Sequence, residues 1–248
     1  EIMPSLVGSE MCIRDRIYGY EFDGIYQYSD FYSVPGSSTL ILKEGVTSNP
    51  SLGNRLSPGA VKYKDQDGDG VITTKDRTVI GNALPKWYGG ITNTFNYKGI
   101  DFSFMLQFNY GNDIYNATRL YATQTNTQRR NQLAEVADRW SPTNASNKVP
   151  RYNGYVVNDV YSRFVEDGSF LRLKNITLGY TLPHKWTRSF HVSKLRVYAT
   201  GQNLFCLNNY SGYDPEVSTA SKSPMTPGLD WGAYPKSRVF TFGIDLQF

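Results

Sequence analysis

Asp65, Asp67 and Asp69 stand at alternate positions in the stretch "YKDQDGDGVITTKDRTVIG", with Gly70 directly after them and Asp76 further on. Counted from Asp65, they fill positions 1, 3 and 5 of the twelve-residue loop that wraps a hard cation, and Gly70 takes position 6, where the chain must turn sharply. Val71 at position 7 offers a backbone carbonyl, Thr73 at 9 can hold a water, and Asp76 at 12 closes the shell. Ile72 at position 8 is the apolar residue that fastens such a loop to the protein. Oxygen donors alone at this spacing suit Ca²⁺ rather than a transition metal. An Asp at position 12, in place of Glu, has a shorter arm and must approach more closely.

The same spacing occurs in calcium sensors, but a sensor needs paired loops with amphipathic helices on both sides. Here "LSPGAVKYK" precedes the loop with a Pro-Gly turn and a short alternating run, and Pro85 follows closely. No second loop of this kind exists in the sequence. The expectation is a structural calcium site with the ligand set Asp65, Asp67, Asp69, Val71, Thr73 and Asp76.

Other residues carry little chemistry. His184 and His191 lie in or beside a short turn and read as surface residues. Glu166 and Asp167 are sequence neighbours, whose side chains diverge, so they make a poor acid–base pair. There is no G-x-S-x-G, no H-E-x-x-H and no phosphate-cradling glycine loop. The reading is therefore not an enzyme. The net charge of +4 is thinly spread and Arg129–Arg130 is the one conspicuous basic pair, which excludes a nucleic-acid partner. Two cysteines, Cys12 and Cys206, are too few for a disulfide framework or a metal cluster.

The elements that would position the loop are strands. Aromatics make up 15% of the 248 residues, with 19 Tyr and 13 Phe, while hydrophobic residues reach only 40%. The mean hydropathy is −0.46. Many rings without overall greasiness imply strands with one apolar and one polar face. In "VFTFGIDLQF" Phe240, Phe242, Ile244, Leu246 and Phe248 alternate with Thr241, Gly243, Asp245 and Gln247. "IDFSFMLQFNY" repeats the pattern from Ile100 to Tyr110, with Met105 as the apolar intruder on the polar face. Trp87–Tyr97 and Leu195–Phe205 alternate likewise. Phe170–Thr181 changes phase at Asn175, which predicts a β-bulge. One stretch departs from this: "NTQRRNQLAEVADRW", residues 126–140, spaces Leu133, Val136, Ala137 and Trp140 for a short helix ended by Pro142.

No apolar run is long enough for a membrane helix, but a membrane β-barrel has a weak signal per segment and a low mean hydropathy. The links "YKGID" and "LPHKWTRSFHVSK" are short, whereas those after Tyr110 and Phe205 are long. Short turns at one end of a sheet and long loops at the other is the layout of an outer-membrane barrel, with the short side in the periplasm. A soluble β-sandwich also alternates, but these strands are long for one, and rings cluster near their ends as interfacial girdles do. The fold class expected is thus all-β: an antiparallel transmembrane β-barrel, of which this chain is the C-terminal portion, with long extracellular loops.

Several stretches together resemble the C-terminal third of SusC-like (RagA-like) TonB-dependent transporters, outer-membrane proteins of Gram-negative Bacteroidetes. They are "IYGYEFDGIYQ" (17–27), "VKYKDQDGDGVITTKDRTVIGNALPKWYGG" (61–90), "FNYGNDIYN" (108–116), "SRFVEDGSFLRLKNITLGYTLP" (162–183), "LRVYATGQNLF" (195–205) and the terminal "RVFTFGIDLQF". The match runs through nearly everything from residue 17 onward. The resemblance implies a barrel of about 22 strands plugged by an N-terminal domain. Five spanning strands are counted here, with room for a few more before residue 60. Open edges are not tolerated in lipid, so the chain is expected to be part of a longer product.

The resemblance further implies import of large nutrients, oligosaccharides or sometimes peptides. A SusD-like lipoprotein would cap the outer mouth, and TonB with ExbB–ExbD would supply energy through the missing N-terminal part. Asp65, Asp67, Asp69 and Asp76 match the family's acidic stretch, which would lie on the extracellular side. Loop aromatics Tyr152, Tyr155, Tyr213, Trp231 and Tyr234 would stack on sugars, pack the loops or meet the lipoprotein. The first sixteen residues, "EIMPSLVGSEMCIRDR", resemble a translated adapter and are set aside as non-native, Cys12 with them. The alternative to the transporter is a secreted, calcium-stabilised, β-rich carbohydrate-binding module.

Overall fold

A computed structural model of the chain describes residues 16–37, 39–124, 131–156, 159–187, 192–217 and 228–248. Residues 1–15 of the segment set aside above, and His191, therefore lie outside the described residues. The strands in chain order are β1 (Arg16–Tyr20), β2 (Phe22–Ile25), β3 (Phe31–Ser33), β4 (Leu40–Leu42), β5 (Val61–Tyr63), β6 (Arg77–Asn82), β7 (Trp87–Tyr97) and β8 (Ile100–Tyr110). They continue with β9 (Asp113–Asn116), β10 (Val165–Asp167), β11 (Phe170–Thr181), β12 (Lys194–Asn208), β13 (Leu229–Asp230) and β14 (Val239–Gln247). The α-helices among the described residues are short, α1 (Ala117–Thr123) and α2 (His184–Thr187). No helix among the described residues is long and apolar enough to cross a membrane.

The contacts separate two units. One takes the described residues of 1–83, 114–166 and 218–232; the other takes those of 84–113, 167–217 and 233–248.

The first unit is built from short pairings, β1–β6, β2–β5 and β3–β4, and the small sheet β10-β9-β13. Its described strands before residue 60 have 3 to 5 residues, too short to span a bilayer, so among the described residues the few additional spanning strands expected there are not found. This unit holds a conventional core: Tyr20, Tyr26, Leu52, Val61, Tyr63, Tyr161 and Phe164 are buried together. Tyr20 stacks on Tyr63 at 4.8 Å between ring centroids. Helix α1 starts where the Asn116 side chain accepts the Arg119 N–H at 2.8 Å.

The helix expected over residues 126–140 is corrected here. Residues 125–130 are not described, and from 131 onward the helical structure is one 3-10 stretch, Ala134–Asp138. Trp140 is buried in an extended segment instead. Its backbone N–H meets Val149 O at 2.9 Å and its indole N–H meets the Gln27 side chain at 2.8 Å. Those two tertiary bonds outweigh a helical spacing that no cap supports.

The second unit is one antiparallel sheet in the order β14-β12-β11-β8-β7, which is chain order among its own strands. Such an up-and-down meander matches the five strands expected. β7 and β8 join through Lys98 and Gly99, both at positive φ (46° and 85°), as a two-residue hairpin with right-handed strand twist requires. The anticipated phase change is present: register shifts between Leu173 and Asn175 against both β8 and β12. Both short links lie at one end of the sheet, since Tyr97 pairs with Ile100, Tyr180 with Ile100 and Thr181 with Arg196. The long connections leave from the other end.

Register decides which residues share a face. One row runs Phe95, Phe102, Leu178, Ala199, Phe242; the row beside it runs Tyr97, Ile100, Tyr180, Val197, Ile244. The opposite face carries Thr94, Ser103, Thr177, Thr200 and Thr241 in one row. At its short-turn end Arg196 donates to Asp101 through Nε at 3.0 Å and Nη2 at 2.7 Å, and to Asp245 through Nη1 at 3.0 Å. Arg196 reaches Asp101 across β11, above Gly179. A Cβ there would stand 2.5 Å from the Asp101 carboxylate oxygens, so only glycine leaves room for this pair.

Candidate metal centre and membrane face

The acidic loop lies in the first unit between β5 and β6. It is flanked by strand β5 before it and by the 3-10 turn Thr74–Asp76 and strand β6 after it, so the helices of a calcium sensor are absent on both sides. Gly68 and Gly70 adopt φ of 76° and 81°, the left-handed region that the turn demands. The loop folds around its own carboxylates. Asp65 accepts the Gly68 and Gly70 N–H groups, each at 2.7 Å. Asp67 accepts from Asp69 N at 3.2 Å, and Asp69 from Val71 N at 2.8 Å.

Asp76 is fully buried and closes the ring, accepting Gln66 N at 2.8 Å and Thr73 N at 2.7 Å. Ile72, 3% exposed, pins the loop's far side: its N–H bonds Ser48 O at 2.7 Å, and Ser48 N returns a bond to Gly70 O at 2.8 Å. Burial on its own pushes the Asp76 carboxyl up. The N–H donors of Thr73, Gln66 and Asp67 outweigh it and hold the group below the usual carboxylate range.

Of the six expected ligands, the structure gathers Asp65, Asp67 and Asp76, whose ligand atoms all lie within 4.8 Å of one another. Oxygens around one Ca²⁺ at 2.3–2.6 Å stand no more than about 5 Å apart, so this spread fits a single ion of that size. Asp69 falls outside the group, with its carboxylate turned onto Val71 N. Thr73 uses its hydroxyl to cap the next turn, accepting Lys75 N at 3.2 Å. Val71 forms a bridge with Ser48.

The remaining polar residues singled out above have separate partners. Glu166 accepts from Arg119 Nη1 at 3.1 Å and Asn116 Nδ2 at 3.2 Å, and Asp167 accepts Ser169 N at 2.9 Å. Arg119 also holds Glu135 through two bonds of 2.8 Å. His184 opens α2 on the surface. Tyr155 is buried in the first unit's core, while Tyr152, Tyr213, Trp231 and Tyr234 are exposed.

The second site is the sheet itself. Trp87, Ile91, Phe95, Tyr97, Leu178, Phe240, Phe242 and Ile244 are all more than half exposed on one face. A contiguous apolar surface of that extent marks a face built for lipid or for another protein rather than for water. Eleven residues of β7 or β8 extend about 37 Å, and at a tilt of about 45° they rise about 26 Å, the height of the apolar band of an outer-membrane barrel. Trp87, Tyr110 and Tyr97 sit at the strand ends, where interfacial rings belong.

No protein-family model matches the chain. It is 35% identical over 235 residues to TonB-dependent receptor P3 of Formosa agariphila, covering 93% of this chain and 22% of that protein. Against TonB-dependent receptor SusC of Bacteroides thetaiotaomicron it is 32% identical over 243 residues, 97% of this chain and 21% of that protein. The chain therefore spans about a fifth of the length of these curated relatives. Among solved structures, that of the RagAB peptide transporter superimposes with a TM-score of 0.66 at 22% identity, covering 94% of this chain and 22% of that one. At that identity the likeness speaks for the fold.

Proposed function

Since the chain is homologous to the TonB-dependent receptors over about a fifth of their length, we propose that its five-stranded sheet is a section of the wall of an outer-membrane nutrient importer. The observation that carries this reading is the continuous, exposed apolar face of the sheet, backed by a polar face and bounded by short links at one end. In that setting the apolar face meets lipid and the polar face borders the solute path. The importer takes up large nutrients in the outer membrane of a Gram-negative bacterium. The family resemblance of the sequence motifs favours oligosaccharides, and the likeness to the RagAB peptide transporter keeps peptides in view. A SusD-like lipoprotein at the outer mouth and TonB with ExbB–ExbD on the inner side complete the proposed assembly.

The test is detergent dependence. The purified chain should require detergent or lipid to stay dispersed and should aggregate on dilution below the critical micelle concentration. A chain that remains monomeric in plain buffer would overturn the wall reading in favour of a secreted β-rich binding module.

The acidic loop serves this reading as a clamp. We propose that Asp65, Asp67 and Asp76 hold a structural Ca²⁺, with Asp69, Val71 and Thr73 completing the shell, on the extracellular side. The ion would cancel the mutual repulsion of carboxylates packed into one short loop. Calorimetric titration should show Ca²⁺ uptake by the chain and none by the double variant Asp67→Ala, Asp69→Ala. Equal uptake by both would place the ion elsewhere.

A further inference from the structure

The second unit buries a charged pair that neither the strand pattern nor the acidic loop anticipates. Arg172 and Asp214 are 3% and 5% exposed and in direct contact. Arg172 belongs to the polar face, in register with Gln107 on β8 and Cys206 on β12. Asp214 comes from the segment after β12, which ends at Asn208. For the pair to form, the chain must turn back on leaving the strand and lie over the face it has just left. The turn is fixed where Tyr210 N bonds the Asn208 side chain at 3.0 Å, and Tyr210 is itself buried.

Asp214 joins three segments at once. Besides Arg172 it accepts Glu216 N at 2.9 Å and Lys236 N at 3.4 Å, the latter from the approach to β14. Glu216 adds an outer layer, with Lys236 Nζ at 2.5 Å, Lys174 Nζ at 3.3 Å and Arg172 Nε at 3.6 Å. Asn203 Nδ2 binds Ser237 O at 3.3 Å, so the approach to β14 is held to β12 as well. A buried ion pair adds little net stability, because desolvation offsets attraction; its best-attested use is to select one arrangement over others. Here the arrangement selected puts residues 209–217 across the loop end of the polar face.

We propose that residues 209–217 form an inward strap that narrows the solute path at the loop end, latched by Arg172 and Asp214. The inference rests on the sheet being a barrel wall, which makes its polar face the border of the path. In that position the strap sets an upper size for whatever passes along this side of the wall, and the latch sets whether it stays.

Cys206, half-buried and in register with Arg172, is a native probe beneath the strap. In the full-length transporter reconstituted in lipid, its labelling is followed by peptide mass spectrometry with a small methanethiosulfonate and with a bulky polymer-linked maleimide. Wild type should react with the small reagent and exclude the large one. Asp214→Asn should raise the large-reagent rate about tenfold or more, the loss of one charged hydrogen-bond network, with little change for the small reagent. The swap Arg172→Asp with Asp214→Arg should restore exclusion, which a misfolded variant would not do. Equal rates for both reagents in wild type, or an unchanged size ratio in Asp214→Asn, would overturn the strap. Failure of the wall reading itself shows separately, as a wild-type chain dispersed without detergent.

Discussion

Arginine at Ile176 should cost about 2–4 kcal/mol of folding stability in lipid, while arginine at the adjacent Thr177 should cost under about 1 kcal/mol. The two positions are neighbours on β11 and differ in face. Ile176 sits in the row with Phe104 and Phe240, near the middle of the strands; Thr177 sits in the row with Ser103 and Thr200, its hydroxyl 3.0 Å from that of Thr200. A guanidinium at Ile176 is forced toward hydrocarbon at the depth where its desolvation is greatest. At Thr177 it points into the polar side, where water and neighbouring hydroxyls solvate it. Denaturant titration in phospholipid vesicles, with tryptophan emission as readout, gives both values. Equal losses would mean that the two faces meet the same medium, and the membrane assignment of the apolar face would fall.

The second large effect belongs to Asp76 and needs no metal to appear. Replacing it with alanine removes the buried acceptor of the Gln66 and Thr73 N–H groups, and should destabilise the first unit by about 2–4 kcal/mol in calcium-free buffer. Asp67→Ala, which removes an exposed side chain accepting only Asp69 N at 3.2 Å, should cost about 0.5 kcal/mol or less under the same conditions. Added Ca²⁺ should then widen the gap between wild type and Asp67→Ala.

The pH dependence follows from linkage. The folded Asp76 carboxyl lies below its unfolded value. Its contribution is therefore complete above the unfolded value, at neutral pH, and fades as pH falls through the folded one. Asp76→Asn should flatten that acid limb of the melting temperature. An acid limb of undiminished slope would show that other carboxylates carry it.

Legibility differed sharply between the two units. Trp87–Tyr97, Ile100–Tyr110 and Phe170–Thr181 are read from alternation with the bounds the structure assigns, and the bulge before Asn175 is visible as a lost beat in the same pattern. Each of these strands has one apolar and one polar side, so its alternation is written into its own residues. The first unit offers no such record. Its strands are short, and pairs such as Phe22 with Tyr63 or Tyr18 with Val79 depend on partners far along the chain. The helical spacing from Leu133 to Trp140 misleads because Gln27, 113 residues away, and Val149, beyond the spaced stretch, claim Trp140. Helix α1 carries a readable start in Asn116 but is only 7 residues long, too short for periodicity to stand out.

What the amino-acid order determined by itself is local: the period of the five long strands, the positive-φ turns at Gly70 and Gly99, and three alternating carboxylates followed by a fourth. Those features arise between residues a few positions apart, where side-chain type and spacing act directly. The tertiary structure alone decided which carboxylates converge, bringing Asp65, Asp67 and Asp76 together while turning Asp69 onto the backbone. It alone joined Arg172 to Asp214, and Asp101 to Arg196 across Gly179. Such pairs form only once strand register sets their distance, and no short stretch of sequence contains a register.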